Sequence, residues 1–100
     1  MTESIVEERT AQIVNRLGLH ARPAAEFVKM AGRFTAEITV EKDGLKVNGK
    51  SIMGVLMLAA EHGSELRIRA EGGDASDAVV ALVDLVGRGF DDEHVERLEE

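Results

Sequence analysis

The chain has 100 residues, of which 44% are hydrophobic, so its composition favours one packed domain over a disordered chain. It contains no cysteine, which excludes disulfides, thiolate metal sites and cysteine nucleophiles. The net charge of −7 comes from the two ends, since residues 11–90 hold ten acidic and ten basic side chains, and this indicates no clustered basic surface for nucleic acid.

The amino-terminal segment predicts a strand followed by a helix. We expect a strand near residues 10–16 because Ile13 and Val14 are β-branched. A helix should begin at about His20, since Pro23 is tolerated in a first helical turn, and it should end at Gly32. Its core-facing stripe recurs at helical spacing and consists of Phe27, Met30, Ala31 and Phe34.

The middle of the chain predicts a hairpin and then a second helix. Residues 36–41 alternate between apolar and polar side chains, which is typical of a strand with one wet face. Asp43 and Gly44 form a two-residue turn into a short return strand at 45–47. Ser51 is a candidate N-cap for a short helix made from the apolar run that follows it.

The last third predicts a fourth strand and a third helix. Gly63 is a candidate C′ residue for the second helix, and residues 65–71 alternate as a strand should. Asp74 is a candidate N-cap for a helix that ends near Gly87. The buried stripe of that helix consists of Ala78, Leu82, Leu85 and Val86.

The predicted order β-α-β-β-α-β-α favours an α+β fold, in which a four-stranded antiparallel sheet carries three helices on one face. We expect a single domain with a core at about residues 10–90 and acidic extensions at 1–9 and 91–100. The acidic amino terminus lacks the apolar region of a signal peptide, and no apolar run approaches the length of a membrane span. A cytoplasmic protein without membrane insertion is therefore expected.

His20 is the leading candidate for chemistry, because it lies where the first helix begins. The unpaired backbone N–H groups of Ala21 and Arg22 could bind an anion there, and the Arg22 guanidinium could neutralise a phosphate. A neutral imidazole is also a competent nucleophile. The alternative is that His20 is only an N-cap and that Pro23 only starts the helix.

Two further features each allow two interpretations. Ser51 is either a simple N-cap or a phosphorylation site, where a phosphate beside Lys50 would add nearly two negative charges. The apolar run at 52–57 is either a surface for a partner or a helix that is buried nearly all round. His62 and His94 have no motif around them, and the spacing of the three histidines indicates no metal site.

Two segments carry a resemblance to a known family. Residues 18–24, GLHARPA, resemble the phosphohistidine signature of the HPr family, the phosphocarriers of the phosphoenolpyruvate:sugar phosphotransferase system. Residues 50–55, KSIMGV, resemble the second signature of that family and follow about 31 residues later, as they do in its members. The resemblance covers roughly residues 10–90.

The resemblance implies an open-faced β-sandwich of βαββαβα order. His20 would accept a phosphoryl group on Nδ1 from phosphorylated enzyme I and pass it to an EIIA domain, with Arg22 supporting the phosphohistidine. Ser51 would be modified by an HPr kinase/phosphorylase. Such a protein is a monomeric phosphoryl carrier without a cofactor or metal, rather than an enzyme with its own small-molecule substrate.

The resemblance also implies a docking patch for enzyme I and EIIA, formed by Ala21, Lys29, Ile52, Met53 and Leu56. An alternative function is a mainly regulatory binding module with little role in sugar uptake. A further hypothesis concerns the acidic carboxy terminus, residues 91–100, which could fold back onto the basic residues Arg22, Lys29 and Lys50.

Overall fold

A computed structural model describes residues 5–91, in which three helices cover one face of a four-stranded antiparallel sheet. The predicted α+β class and element order are confirmed. In chain order the elements are β1 (Val6–Gln12), α1 (Ala21–Ala31), β2 (Glu37–Lys42), β3 (Leu45–Asn48), α2 (Ile52–Met57), β4 (Glu65–Glu71) and α3 (Ala75–Gly87), followed by a 3-10 turn at Gly89–Asp91.

The strands lie in the order β1-β4-β2-β3, so β4 and β2 form the middle of the sheet. In β4, Ile68 pairs with Arg9 of β1 on one side and with Val40 of β2 on the other. The inward-facing side chains of the two central strands are buried under the helices. These residues are Ile38, Val40, Leu66, Ile68 and Ala70.

The first strand starts four residues before its predicted position and ends at Gln12. Ile13 and Val14 follow the strand, and their β-branched character reflects burial in the core rather than a place in β1. Acidic residues occur in β1 because its exposed face lies beside arginines of β4, with 3.3 Å between Glu8 Oε2 and Arg67 Nε. The sheet therefore includes residues 6–9, which the sequence had assigned to the acidic extension.

The second helix is shorter than predicted. It ends at Met57, and Ala59 just beyond it has a positive φ of 49°. Gly63 is not the C′ residue of this helix, so that prediction is wrong. Gly63 lies in the turn before β4, where its N–H donates to the Ile13 carbonyl at 2.8 Å.

Asp74 stands at the N-cap position of α3, but its side chain does not cap the helix, contrary to the prediction. Its carboxylate accepts hydrogen bonds from the backbone N–H groups of Thr35 at 2.9 Å and Ala36 at 2.8 Å. The bond from Thr35, reinforced by the bond from Ala36, lowers the pKa of this carboxyl below its ordinary value. The residue thus fastens the start of α3 to the loop between α1 and β2.

Core packing follows the predicted stripes with two differences. Phe27 and Ala31 of α1 are buried, whereas Met30 and Phe34 are half-buried and pack against the rim of the core. Within residues 5–91, no helix is long and apolar enough to cross a membrane. The expected acidic tail beyond residue 91, its fold-back onto basic residues and the position of His94 lie outside the described residues.

Candidate functional site

The loop that precedes α1 is pinned against the chain that leaves α2. The N–H of Leu19 donates to the Ala60 carbonyl at 2.8 Å, and the N–H of Gly18 donates to the Asn15 carbonyl at 3.1 Å. Gly18 has a φ of +73°, and a Cβ atom there would lie 2.5 Å from the Ala60 oxygen. Only glycine fits both the conformation and the space, so this loop delivers His20 to a fixed position.

His20 occupies the N-cap position of α1 in an extended conformation, with φ −83° and ψ −167°. Its side chain makes no capping hydrogen bond, so the interpretation of His20 as a simple N-cap has no support in the geometry. The ring is half-buried, and its Nε2 atom is buried without a hydrogen-bond partner. Nδ1 is not among the buried unpaired atoms, which leaves it as the ring nitrogen available at the surface.

Arg22 lies in the first turn of α1, where its guanidinium forms an ion pair with Glu26 one turn later. Pro23 beside it is buried, and the first helical hydrogen bond runs from the Ala24 N–H to the His20 carbonyl at 2.9 Å. The helix start therefore combines a histidine, an exposed arginine and backbone N–H groups that point out of the helix. Such an arrangement can hold an anion on the imidazole.

Ser51 is the N-cap of α2, as predicted. Its Oγ accepts a hydrogen bond from the Gly54 N–H at 3.1 Å, and the residue is half-buried. The neighbouring Lys50 extends its side chain to the Phe34 carbonyl, with 2.7 Å between Nζ and the oxygen. The ammonium group of Lys50 is therefore engaged at the end of α1.

The same contacts define how the two helix starts are related. Lys50, just before α2, contacts Phe34, just after α1, while Ala60 after α2 contacts Leu19 before α1. The two helices therefore run antiparallel, and His20 and Ser51 lie at opposite ends of the pair. The structure does not bring these two residues together; it places the α2 surface between them.

The α2 surface contains exposed apolar side chains. Part of the run 52–57 is therefore available to a partner and part of it is buried, so neither interpretation holds for the whole run. Met53 is 68% exposed and Met57 is 64% exposed, whereas Val55 is buried. Of the predicted docking residues, Ala21, Lys29, Ile52 and Met53 are exposed, while Leu56 is half-buried against the core.

Sequence reasoning missed two residues in the loop before His20. Leu17 is an apolar residue whose side chain is 71% exposed. Asn15 is fully buried, and its Nδ2 donates to the Gly18 carbonyl at 2.6 Å. The sequence offered one indication of this role. Asn15 is a polar residue that directly follows the apolar pair Ile13-Val14 and precedes Gly18 by three residues.

One cavity away from the His20 site has charged lining residues that already pair with one another. A cavity of about 320 Å³ lies on the exposed face of the sheet and is lined in part by Thr10, Lys42 and Arg67. Its cations are already paired, Lys42 with Asp43 and Arg67 with the carboxylates of Glu8 and Glu41. This cavity therefore offers no free cation for an anionic ligand.

Known proteins are similar to this chain in sequence and in fold. A family model described as the PTS HPr component phosphorylation site matches residues 7–88. The phosphocarrier protein HPr of Neisseria meningitidis serogroup A is 42% identical over 83 residues, which cover 83% of this chain and 93% of the relative. The HPr-like protein Crh of Halalkalibacterium halodurans is 48% identical over 79 residues, which cover 79% of this chain and 94% of the relative.

The crystal structure of HPr-C-His from Thermoanaerobacter tengcongensis is similar to this chain throughout the domain. It superposes with a TM-score of 0.84 at 49% sequence identity. The match covers 87% of this chain and 98% of that one.

Proposed function

Since the chain belongs to the HPr family of phosphotransferase-system phosphocarriers, we propose that it accepts a phosphoryl group on Nδ1 of His20 from phosphorylated enzyme I. It then passes the group to an EIIA-type domain, in an exchange between cytoplasmic proteins. The observation that carries this proposal is the burial of Nε2, because it leaves Nδ1 as the accessible nucleophile at the start of α1.

The transfer requires no proton to be lost at the reacting atom. The lone pair on Nδ1 forms a bond to phosphorus while the bond between phosphorus and the donor breaks, and the electron pair of that bond stays with the donor. Backbone N–H groups at the helix start and the positive end of its dipole favour the incoming negative charge. Arg22 supplies planar, charge-assisted hydrogen bonds to the phosphoryl oxygens once its guanidinium turns from Glu26.

Partner docking is assigned to the surface around and between the two helix starts. Ala21, Lys29, Ile52 and Met53 are exposed and suit contact with another protein, with Lys29 available to acidic partner residues. Leu56 supports this patch from beneath, because it is half-buried. The protein acts as a monomer, so that one copy can bind enzyme I and EIIA in turn through the same surface.

Ser51 is assigned a regulatory role as the target of an HPr kinase/phosphorylase. A phosphate on Oγ would lie at the start of α2, beside the exposed Ile52 and Met53 side chains. Its charge would change the docking surface with little change of fold, since Ser51 is already fixed by its cap bond.

The proposal is tested by incubating the full chain with enzyme I, Mg²⁺ and labelled phosphoenolpyruvate. An acid-labile, base-stable adduct is expected on the wild type and none on His20→Ala, and adding an EIIA domain should move the label onward. A substitution of His62, which lies outside this helix start, is the matched control and should leave labelling intact. An adduct that persists in His20→Ala would refute the assignment.

A mainly regulatory module is the second candidate function, and the similarity to the HPr-like protein Crh favours it. In that case phosphorylation of Ser51 or His20 would tune binding to a kinase, transporter or regulator, with little onward transfer. The same assay separates the two functions. Label that reaches EIIA supports the carrier, whereas label that stays on His20 with every EIIA domain of the source organism supports the regulatory module.

A further inference from the structure

Two buried polar atoms at the His20 site lack partners. Among the side-chain nitrogen and oxygen atoms of residues 5–91, Asn15 Oδ1 and His20 Nε2 are the buried ones without a hydrogen bond. Both belong to residues 13–20, the loop that leads into α1. Buried polar atoms are normally paired, so two unpaired atoms in one short loop indicate a function at that place.

Asn15 has a fixed orientation. It is fully buried and is the sole buried polar side chain in the described part of the chain. Its Nδ2 donates to the Gly18 carbonyl at 2.6 Å, and its backbone carbonyl accepts the Gly18 N–H at 3.1 Å. With the donor end of the amide used, Oδ1 is left as an acceptor that needs a donor.

The chemistry of the second atom is complementary. When Nδ1 of His20 carries a lone pair, Nε2 carries the proton and needs an acceptor. Asn15 Oδ1 is an acceptor without charge, so it can receive this proton donor without adding a negative charge beside a phosphoryl group. The two atoms are not bonded to each other in the described structure, so a bond between them requires the imidazole ring to change its orientation.

We propose that Asn15 is a positioning residue for phosphoryl transfer, whose Oδ1 accepts a hydrogen bond from Nε2–H of His20 while Nδ1 carries the phosphoryl group. This inference rests on the function proposed above. When the Nδ1 lone pair bonds to phosphorus, the ring becomes positively charged and its Nε2–H becomes a stronger donor.

The proton on Nε2 also matters for the onward step. As the nitrogen–phosphorus bond breaks, its electron pair returns to Nδ1 and the phosphorus bonds to the acceptor on EIIA. A ring that kept its Nε2 proton leaves as neutral imidazole rather than as an anion. Holding that proton on Nε2 is therefore the role of Asn15 Oδ1, and no proton has to move during either transfer.

The test compares Asn15→Leu with Asn15→Asp in the full chain. Both variants lose the Nδ2 donor to Gly18, but only the aspartate keeps an oxygen where Oδ1 lies. Each is labelled with ¹⁵N-histidine and phosphorylated with enzyme I, and the Nε2–H signal and the rate of transfer to EIIA are measured.

In the wild type and Asn15→Asp, we expect a Nε2–H proton of phosphorylated His20 that exchanges slowly with solvent. In Asn15→Leu, the proton should exchange rapidly and transfer to EIIA should slow about tenfold. If Asn15 only supports Gly18, both variants should lose the Nε2–H signal to the same extent. That result would overturn the inference. So would equal Nε2–H signals and equal transfer rates in the wild type and both variants. If Asn15→Leu does not fold, Asn15→Ala replaces it, with an amide correlation spectrum as the check.

The two proposals fail in different ways. A wild type that enzyme I does not label on His20 overturns the proposed function and this inference with it. A wild type that is labelled, with Asn15→Leu and Asn15→Asp indistinguishable, overturns only the role of Asn15.

Discussion

Arg22 is bonded to Glu26, one helical turn further along α1, with 2.8 Å between Nη1 and Oε2. Both side chains are at least one-third exposed, so this is a surface ion pair of modest strength. The proposed phosphoryl group on His20 would therefore compete with Glu26 for the guanidinium.

Replacing Glu26 by glutamine removes the competing charge and should favour the phosphorylated protein. An i,i+4 ion pair stabilises a helix by about 0.2–0.5 kcal/mol, so the phosphorylation equilibrium with enzyme I should shift by about twofold. The measurement is the labelled fraction at fixed phosphoenolpyruvate and pyruvate. Asp84→Asn removes a similar pair between Asp84 of α3 and Arg88, which follows the end of that helix, and should leave the equilibrium unchanged. An equal shift in both variants would contradict the explanation.

Gly18→Ala should destabilise the fold and displace His20. The substitution places a Cβ atom 2.5 Å from the Ala60 oxygen and puts alanine at a φ of +73°. The backbone strain alone costs about 1–3 kcal/mol, and the clash with a carbonyl adds to it. Gly44→Ala is the matched control, because its φ is +87° but nothing lies within 4 Å of the added atom. Urea unfolding should show a larger loss for Gly18→Ala, and equal losses would argue against the clash.

Substitutions at Ser51 should separate its cap from its proposed regulatory charge. Ser51→Ala removes the acceptor for the Gly54 N–H and should cost about 1 kcal/mol of stability. Ser51→Asp keeps an N-cap oxygen, so its stability should be close to that of the wild type, yet its charge should slow phosphotransfer from enzyme I. Unfolding and transfer rates measured on the same samples test this, and a fast Ser51→Asp would count against regulation by charge.

Met53→Ala and Met57→Ala should weaken partner binding while leaving stability nearly unchanged. Both side chains are about two-thirds exposed, and surface substitutions usually change stability by less than about 0.5 kcal/mol. The affinity for enzyme I can be measured by titration calorimetry. Val80→Ala on α3, where Val80 is 52% exposed, is the control for an exposed apolar residue on another helix. Equal weakening by all three would place the docking surface elsewhere.

Asp74 should give the fold a specific acid sensitivity. In the folded state, the hydrogen bond from the Thr35 N–H, followed by the bond from the Ala36 N–H, lowers the pKa of the Asp74 carboxyl from its ordinary value of 3.8. The ionised carboxylate therefore contributes its full stabilisation of the fold above pH 3.8. This stabilisation is lost as the pH falls below 3.8 and through the lower pKa of the folded state. Asp74→Asn should therefore be less stable than the wild type at neutral pH, and the difference should shrink as the pH falls below 3.8. A difference that is constant with pH in urea unfolding would contradict this account.

Local patterns in the chain were sufficient for much of the fold. The strict alternation of residues 65–71 predicted β4 at its observed bounds, and Ser51 was recognised as a cap because capping depends on neighbours three residues away. Asp74 was recognised as a residue at a helix start, but its partners are Thr35 and Ala36, which lie almost 40 residues earlier. A contact of that range has no local signature.

The candidate site divides in the same way. By itself the sequence determined the fold class, the family and the presence of a histidine and an arginine at a helix start, because these depend on residue type and short spacing. The tertiary structure decided which ring nitrogen of His20 is buried, that Arg22 is held by Glu26 and that Asn15 is buried within the loop before α1. It also decided which side chains of α2 are exposed. Burial and pairing depend on what packs from distant parts of the chain, and the packing of α2 and Ala60 against the loop before α1 exists only in the folded molecule.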